Sequence, residues 1–245
     1  MMGVGITFLL IQYPAVGSGD YTIEFWMNGS DVETGTWQSL VSRDYANSDG
    51  FRLYKKTGVS ELVFYNGSSA TATTVSAGLT NNTWHHIAVV RNSGTLDIYV
   101  DGVSKISVSN SSNISEAVKP INIGGNTGEV SSYPYTGYIS NLRLNIGNAL
   151  YTENFTPPSQ KLTVSGATTL LTCQSNRFID NSTNDYTITV GGDPKVSAFN
   201  PFGQESEYAV GENKGSVFLD GVDDYSYTLD TGIVLDSLFT IEAWC

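Results

Sequence analysis

Apolar and polar residues alternate over short stretches of the chain, and turn-forming residues separate one stretch from the next. In Tyr21–Met27, written YTIEFWM, the side chains of Ile23, Phe25 and Met27 fall on one face, and Thr22 falls on the other. A period of two is typical of a β-strand with one buried face. Similar patterns predict strands at 6–11, 37–43, 50–56, 61–67, 84–91, 96–100, 120–125, 137–145, 168–174, 184–192 and 215–230, with an irregular stretch at 103–119. Helix-period patterns are missing, so we expect an all-β chain.

The stretch TWHHIAVVRNSGTLDIYVDG predicts a hairpin, in which strands at Trp84–Arg91 and Leu96–Val100 are joined by a turn at 92–94. His85 and His86 are adjacent on the first strand, and neighbouring side chains of a strand point to opposite faces. We therefore expect the two imidazoles to lie on different sides of the sheet. In that arrangement they cannot bind one metal ion together or form a catalytic pair.

Two phrases of the sequence are nearly the same. GDYTIEFW begins at Gly19, LFTIEAWC ends at Cys245, and Phe239 follows its counterpart Tyr21 by 218 positions. A spacing of this size fits one large β-domain. The sequence is therefore interpreted as slightly more than one period of a tandem array.

Six motifs in a fixed order resemble the laminin-G-like domains of the concanavalin-A-like lectin/glucanase superfamily: YTIEFW, GFRLY, WHHIAVVR, LDIYVDG, INIGG and YISNLRL. The resemblance covers Gly19–Thr152, and it implies an antiparallel two-sheet jelly-roll sandwich. Residues Ala149–Phe202 resemble the unit junction in tandem laminin-G-like repeats of virion proteins from marine tailed phages. This second resemblance implies a structural role in a virion.

The repeat and the junction together predict how the chain is divided. Residues 1–156 are expected to form a laminin-G-like unit that lacks its first strands, and 157–167, which begins with two prolines, is expected to be a linker. Residues 168–245 are expected to carry the opening strands of the next unit.

We expect the later strands to complete the earlier sandwich. If Thr168–Asp220 pairs with the sheets of Tyr21–Asn145, a single sandwich closes in circularly permuted strand order, and no open edge or apolar core is left exposed. Residues 6–26 and 225–244 would then compete for one strand position. The displaced copy could pair at an edge or exchange into a neighbouring chain, so self-association is an open alternative.

Charge narrows the range of partners. The formal net charge is −12, with 12 Lys and Arg against 24 Asp and Glu. Nucleic acids and anionic membranes attract clustered cationic side chains, so we expect neither as a partner. The apolar run Ile6–Ile11 is too short to cross a bilayer and lacks the basic segment of a signal peptide. Cys173 and Cys245 are too few for a disulfide framework or a structural zinc site.

The sequence does not predict an enzyme. A Gly-x-Ser-x-Gly nucleophile motif does not occur. Glucanases of the resembled superfamily use two carboxylates on one strand face. The nearest match is Asp97 and Asp101, which also fits a plain strand followed by a turn aspartate. A glucanase-type glycoside hydrolase is therefore the third alternative.

No cofactor is required, and Ca²⁺ is the one ion that the resemblance suggests, because laminin-G-like and pentraxin-like relatives hold it in loops at the rim. Carboxylate and carbonyl oxygens are the ligands that Ca²⁺ prefers. The acidic stretches RDYANSDG and DGVDD supply the candidate ligands Asp44, Asp49, Asp220, Asp223 and Asp224. Such residues are also common in plain turns.

Tyr133 and Tyr135, in EVSSYPYTG, are the candidate glycan-binding residues, because exposed aromatic rings stack on sugars; the alternative is that they cover the end of the core. The predicted function is a non-enzymatic adhesion or structural module of a phage virion, such as a tail-fibre, decoration or host-recognition protein. Its expected partners are a glycan or host-surface receptor and other virion proteins. The alternative is a carbohydrate-binding or cell-adhesion module of a secreted bacterial protein, located outside the cell.

Overall fold

Thirteen strands make up the part of the chain that the computed structural model describes, namely residues 8–11, 16–33, 36–43, 49–56, 58–67, 69–74, 76–115, 119–125, 133–191 and 194–203. The strands are β1 Phe8–Ile11, β2 Tyr21–Gly29, β3 Gln38–Arg43, β4 Phe51–Lys55, β5 Leu62–Asn66, β6 Ser69–Thr73, β7 Trp84–Asn92, β8 Thr95–Val100, β9 Val103–Ser109, β10 Ile121–Ile123, β11 Gly137–Ile146, β12 Thr168–Thr172 and β13 Ile188–Gly191. These described ranges contain no helix. The prediction of an all-β, two-sheet antiparallel fold is confirmed.

The strands form two antiparallel sheets. The seven-stranded sheet has the order β13-β1-β10-β3-β4-β5-β6, and the six-stranded sheet has the order β12-β11-β2-β7-β8-β9. The contacts divide the chain after Lys214, so both sheets belong to the first of two units, and the second unit lies outside the described residues.

Alternation along each strand builds the core between the sheets. Ile23, Phe25 and Met27 of β2 are fully buried there, and Phe51 and Leu53 of β4 are buried in the same cluster. Burying each such side chain contributes about 1.5–3 kcal/mol relative to leaving it in water. The residues between them on β2 and β4 therefore point to the outer faces of the sheets, where any site must be built.

Three details of the predicted strand pattern are wrong. The hairpin turn is shorter than expected, because β7 continues through Asn92 and only Ser93 and Gly94 form the turn, with φ of 50° and 81°. Positive φ at both central residues is the type I′ geometry, which matches the twist of the flanking strands. Residues 103–119 are not irregular throughout, since β9 occupies Val103–Ser109. The strand β6, Ser69–Thr73, was not predicted either. The short strand β6 and the Ser-rich strand β9 carry too few large apolar residues to give a clear period.

The two strands from residue 168 onward pair with strands of the preceding part of the chain. β12 pairs with β11, and β13 pairs with β1, so one late strand is added to each sheet. Leu170 of β12 is fully buried in the core. Of the first copy, residues 6–26, the described parts form β1 and the start of β2, and each of these strands has a neighbour on both sides in its sheet. Residues 225–244 lie outside the described residues, so the competition of the two copies for one strand position stays a prediction. The division of the chain at 157–167 stays a prediction as well.

A buried aspartate closes the β12 edge of the six-stranded sheet. Asp180 Oδ1 accepts hydrogen bonds from the Leu171 N–H at 3.0 Å and the Ser182 N–H at 2.8 Å, and Oδ2 accepts from the Ser182 hydroxyl and the Tyr186 N–H. The Asn181 N–H donates to the Leu171 carbonyl at 2.6 Å. The free backbone groups of an edge strand can pair with other chains. Here the residues around Asp180 satisfy those of Leu171.

Candidate functional site

The two tyrosines singled out in the sequence lie just before β11 and have different surroundings. The Tyr135 ring packs against the core, and its hydroxyl donates to the Tyr138 carbonyl at 3.2 Å. Burial raises the pKa of Tyr135 above its ordinary value, against a smaller lowering by a hydrogen bond with Asn28. Tyr133 is also half-buried, but its ring lies 5.6 Å from the ring of Tyr54 on the outer face of the seven-stranded sheet.

Tyr133 belongs to a set of four rings, Trp37, Tyr54, Tyr65 and Tyr133, which we call the aromatic row. The Tyr54 centroid lies 6.0 Å from that of Trp37 and 5.9 Å from that of Tyr65. These separations are within the range of favourable ring contacts. Tyr54 is only 4% exposed, whereas the other three rings are half-buried and keep part of their surface open.

Strand alternation places the aromatic row. Phe51 and Leu53 of β4 face the core, so Arg52 and Tyr54 between and after them face outward. Arg52 lies directly opposite Tyr65 of β5 in the strand register. The row therefore runs across neighbouring strands rather than along one of them.

Polar side chains and backbone groups of the sheet hold Tyr65 and Tyr133 of the aromatic row in place. The Arg52 guanidinium carbon lies 4.6 Å from the centre of the Tyr65 ring, and Nη2 donates to the Gly67 carbonyl at 2.5 Å. A guanidinium over a ring is attracted by the ring's negative face. The hydroxyls of Ser39 and Ser42 both donate to the Gly125 carbonyl, at 3.1 and 3.3 Å. Gly125 is thereby tied to β3, and the Ser39 N–H also donates to the Tyr133 carbonyl at 2.9 Å.

The outer face of the six-stranded sheet is largely covered by the chain itself. Residues 148–157, which we call the covering segment, place Tyr151 and Phe155 in a parallel stack with centroids 3.6 Å apart. Both rings pack against Ala88, Val90 and Tyr99. Farther along this face, the ring of Phe202 contacts Trp26, and that of Phe199 contacts Trp84 and Tyr138.

A buried ionic cluster lies beneath the covering segment. Glu24 Oε1 accepts from Arg143 Nε at 2.8 Å and Nη2 at 2.6 Å, and Oε2 accepts from the Tyr151 hydroxyl at 2.8 Å and pairs with His86 Nε2 at 3.1 Å. The Glu24 and His86 side chains are fully buried, and that of Arg143 is 11% exposed.

The Glu24 carboxylate and the Tyr151 hydroxyl of this cluster both have shifted pKa values. Burial acts to raise the pKa of Glu24, but the hydrogen bond with His86 and the charge of Arg143 outweigh it, and the pKa is lowered. Burial and the nearby Glu24 charge raise the pKa of the Tyr151 hydroxyl. The cluster therefore holds one carboxylate and one neutral phenol at neutral pH, and it ties the covering segment to the sheet.

His85 lies on the opposite side of β7 from His86, as predicted. His85 Nδ1 lies 2.7 Å from Asp101 Oδ2, and Nε2 accepts the Thr80 N–H at 3.0 Å. The lone pair of Nε2 is thus occupied, and the ring proton belongs on Nδ1, from which it is donated to Asp101. Burial acts to raise the pKa of Asp101, but the hydrogen bonds from His85 and the His86 N–H hold it below its usual value.

The carboxylate pair considered for a glycosidase does not form a free acid and nucleophile. Asp101 lies in a turn, with φ of 52°, and its carboxylate is bonded to His85 and to the His86 N–H. Asp97 lies on β8 between core-facing residues, so it points to the outer face, where Oδ1 accepts from the Ser104 hydroxyl at 3.4 Å. Asp97 therefore supports the β8–β9 hairpin, and Asp101 ties the turn of that hairpin to β7.

Of the calcium candidates, Asp49 is described and is exposed, whereas Asp44, Asp220, Asp223 and Asp224 lie outside the described residues. Across the described ranges, no three His, Cys, Asp or Glu side chains are grouped so that they could hold a metal ion. The same ranges have no helix long and apolar enough to cross a membrane. The calcium site stays a prediction.

Sequence reasoning missed three of the four rings in the aromatic row. Trp37, Tyr54 and Tyr65 were placed only as parts of strands or their flanks, because aromatic residues are common in any strand. A signal was present, since Tyr54 and Tyr65 occupy the outward positions of two adjacent predicted strands. An aromatic residue at a strand position that faces away from the core indicates a ring on the outer face of the sheet.

The family comparison agrees with this architecture. The laminin-G-type model of the concanavalin A-like lectin/glucanases superfamily matches residues 8–146, more than half of the chain. The chain belongs to this superfamily. No curated protein matches the sequence. The β-sandwich is therefore of the lectin-like type, and Trp37, Tyr54, Tyr65 and Tyr133 all lie within the matched residues.

Two solved structures illustrate the likeness. A proposed carbohydrate-binding protein from Bacteroides ovatus superposes with a TM-score of 0.55 at 17% identity, covering 79% of this chain and 60% of that one. The heptameric SAP-like pentraxin from Limulus polyphemus superposes with a TM-score of 0.53 at 15% identity, covering 80% of this chain and 94% of that one. At these identities the likeness concerns the fold alone. The chain spans less than two thirds of the Bacteroides protein.

Proposed function

We propose that the chain is a non-enzymatic adhesion or structural module that binds glycans on the aromatic row. The observation that carries the proposal is the set of three half-buried rings, Trp37, Tyr65 and Tyr133, held around the buried ring of Tyr54. Rings fixed by their neighbours lose little conformational entropy when a ligand binds, and Trp and Tyr commonly dominate the binding energy of recognition surfaces. The C–H faces of sugars are suitable partners for such rings.

The arrangement of acids and bases supports binding rather than hydrolysis. The His85 imidazole uses both nitrogens in hydrogen bonds, and both oxygens of Glu24 are occupied by buried partners. A general acid or base must be able to reach the proton that it transfers. These groups instead hold loops and the covering segment in place.

We place the module in a phage virion, as part of a tail fibre, a decoration protein or a host-recognition protein. The resemblance of Ala149–Phe202 to the repeat junction of virion proteins supports this setting, and other virion proteins and a host-surface glycan or receptor would be its partners. The alternative is an extracellular carbohydrate-binding or adhesion module of a bacterium, which would use the same rings. Genes for other virion proteins next to this one would favour the first setting.

The proposal predicts that removing one exposed ring weakens glycan binding. A glycan array and electrophoresis in polysaccharide gels would compare the wild-type chain with Trp37→Ala and Tyr65→Ala. Each variant should bind at least about tenfold more weakly, which corresponds to about 1.4 kcal/mol. Binding should persist in EDTA, because ring contacts need no metal ion; loss in EDTA would instead favour the predicted calcium loops.

Tyr138→Ala is the matched control. Tyr138 is also a tyrosine on the outer face of a sheet, 46% exposed, but it lies on β11 of the other sheet. Its removal should leave glycan binding unchanged. If Tyr138→Ala weakened binding and Tyr65→Ala did not, the ligand would bind the six-stranded sheet and the proposal would be wrong.

A further inference from the structure

We infer that the aromatic row recognises several consecutive units of a linear polysaccharide, not a single terminal sugar; this inference rests on the proposed function. The row crosses the seven-stranded sheet from Trp37, next to β3, through Tyr54 on β4 to Tyr65 on β5. The Tyr54 centroid lies 6.0 Å from that of Trp37 and 5.9 Å from that of Tyr65, and the two end rings lie beside different neighbouring strands, on either side of Tyr54. A ligand must be long enough to contact both.

Burial of the middle ring strengthens this requirement. Tyr54 is 4% exposed, with Trp37, Tyr65 and Tyr133 packed around it. The open ring surfaces therefore belong to the three rings around Tyr54 and not to Tyr54 itself. One sugar ring is about the size of one aromatic ring and can cover only one of these surfaces. A chain of sugars can cover two at once, and the second contact becomes intramolecular, which raises the affinity.

The far end of the row leads to the edge of the sheet. Tyr65 is paired with Ala70 of β6, and β6 is the last strand of the seven-stranded sheet. This strand, SATAT, carries only small side chains. No bulky side chain of β6 therefore stands beyond Tyr65 to stop a bound chain. A polysaccharide lying across the rings can continue past the module, so internal stretches are as suitable as chain ends.

The Arg52 guanidinium favours recognition by shape over recognition by charge. It is 7% exposed, and it is already committed to the Tyr65 ring and the Gly67 carbonyl. It therefore fixes the orientation of Tyr65 and does not present a free cation to the ligand. Specificity would come from the spacing and tilt of the rings, which a repeating polymer matches better than a single acidic sugar does.

The test is a chain-length series. Gels containing laminarin, xylan, arabinan or alginate would first identify a polysaccharide that retards the wild-type chain, and its oligosaccharides of one to six units would then be titrated by calorimetry. We expect affinity to rise at least about tenfold from the disaccharide to the tetrasaccharide. Tyr65→Ala should abolish that rise, whereas Tyr138→Ala should keep it. Reduction of the reducing end should leave hexasaccharide binding unchanged.

The outcomes separate this inference from the proposed function. If a monosaccharide bound within threefold of the hexasaccharide, the row would be a single-sugar site and the inference would be overturned, while glycan binding itself would stand. If reduction of the chain end abolished binding, recognition of internal stretches would be wrong. If none of the four polysaccharides retarded the chain and the array were also blank, the proposed function would fail and the inference would fail with it.

Discussion

The buried charge of the single residue Glu24 is tolerated in this sheet because it is fully compensated by neighbouring side chains. Its two oxygens meet the Arg143 guanidinium, the Tyr151 hydroxyl and His86, so the carboxylate exchanges water for fixed partners. Removing one member of a buried ion pair leaves the other charge without compensation and is strongly destabilising. The alternation of YTIEFW assigns this position to the outer face, but it does not reveal that a later segment covers that face.

Glu24→Gln should therefore destabilise the chain by about 3–5 kcal/mol, because the buried Arg143 charge loses its counterion. The matched control is Glu61→Gln. Glu61 pairs with Lys56 at 3.1 Å near the surface, where such pairs contribute about 0–1 kcal/mol. Urea unfolding followed by tryptophan fluorescence measures both free energies. Equal losses in the two variants would contradict a special role for the buried cluster.

Among the structural elements, the two tight turns that end at Gly94 and Gly102 have the same backbone type but different surroundings. Gly94 and Gly102 both end a tight turn with positive φ, of 81° and 76°. A Cβ on Gly94 would meet nothing within 4 Å, whereas a Cβ on Gly102 would lie 1.8 Å from the Phe155 carbonyl oxygen. The Phe155 N–H also donates to the Gly102 carbonyl at 2.9 Å. Only the second turn is in contact with the covering segment.

Gly102→Ala should therefore destabilise the chain by about 1–3 kcal/mol more than Gly94→Ala, because an added methyl group at Gly102 overpacks the contact with Phe155. Both variants share the cost of about 1–2 kcal/mol for a left-handed alanine. Hydrogen exchange should increase at residues 148–157 in Gly102→Ala alone. Unchanged protection of that segment would show that it does not depend on this contact.

The sequence predicted elements better than it predicted their assembly. The alternation in YTIEFWM and WHHIAVVR identified β2 and β7 and placed His85 and His86 on opposite faces, because these strands are long and have one apolar face. The Ser-rich strand β9 was missed for the opposite reason. The rings of Trp37, Tyr54 and Tyr65 come together only through strand register, which a local pattern does not contain.

At the scale of the whole molecule, stability should fall in acid. The folded-state pKa values of Glu24 and Asp101 are depressed, whereas in the unfolded chain such groups have a pKa of about 4. Their stabilising contribution is complete above the unfolded pKa and is lost as the pH falls through the folded values. The free energy of unfolding should therefore decrease below about pH 4.

Glu24→Gln provides the comparison for this pH dependence. Protonation in acid also relieves the repulsion of a chain with a net charge of −12, and this opposing effect is nearly the same in both proteins. The difference in unfolding free energy between wild type and variant should therefore narrow as the pH falls from 6 to 3. A constant difference over this range would mean that Glu24 is not the carboxylate responsible.

The pairing of β13 with β1 and of β12 with β11 also bears on biosynthesis. β1 is synthesised well before its neighbour β13, which ends at Gly191, so the seven-stranded sheet cannot be completed until all of residues 8–191 have been made. Contacts between such distant parts of a sequence form slowly, because a large loop must close first. The nascent chain must therefore wait with an open edge, and a chaperone that shields edges at this stage would raise the yield of folded protein.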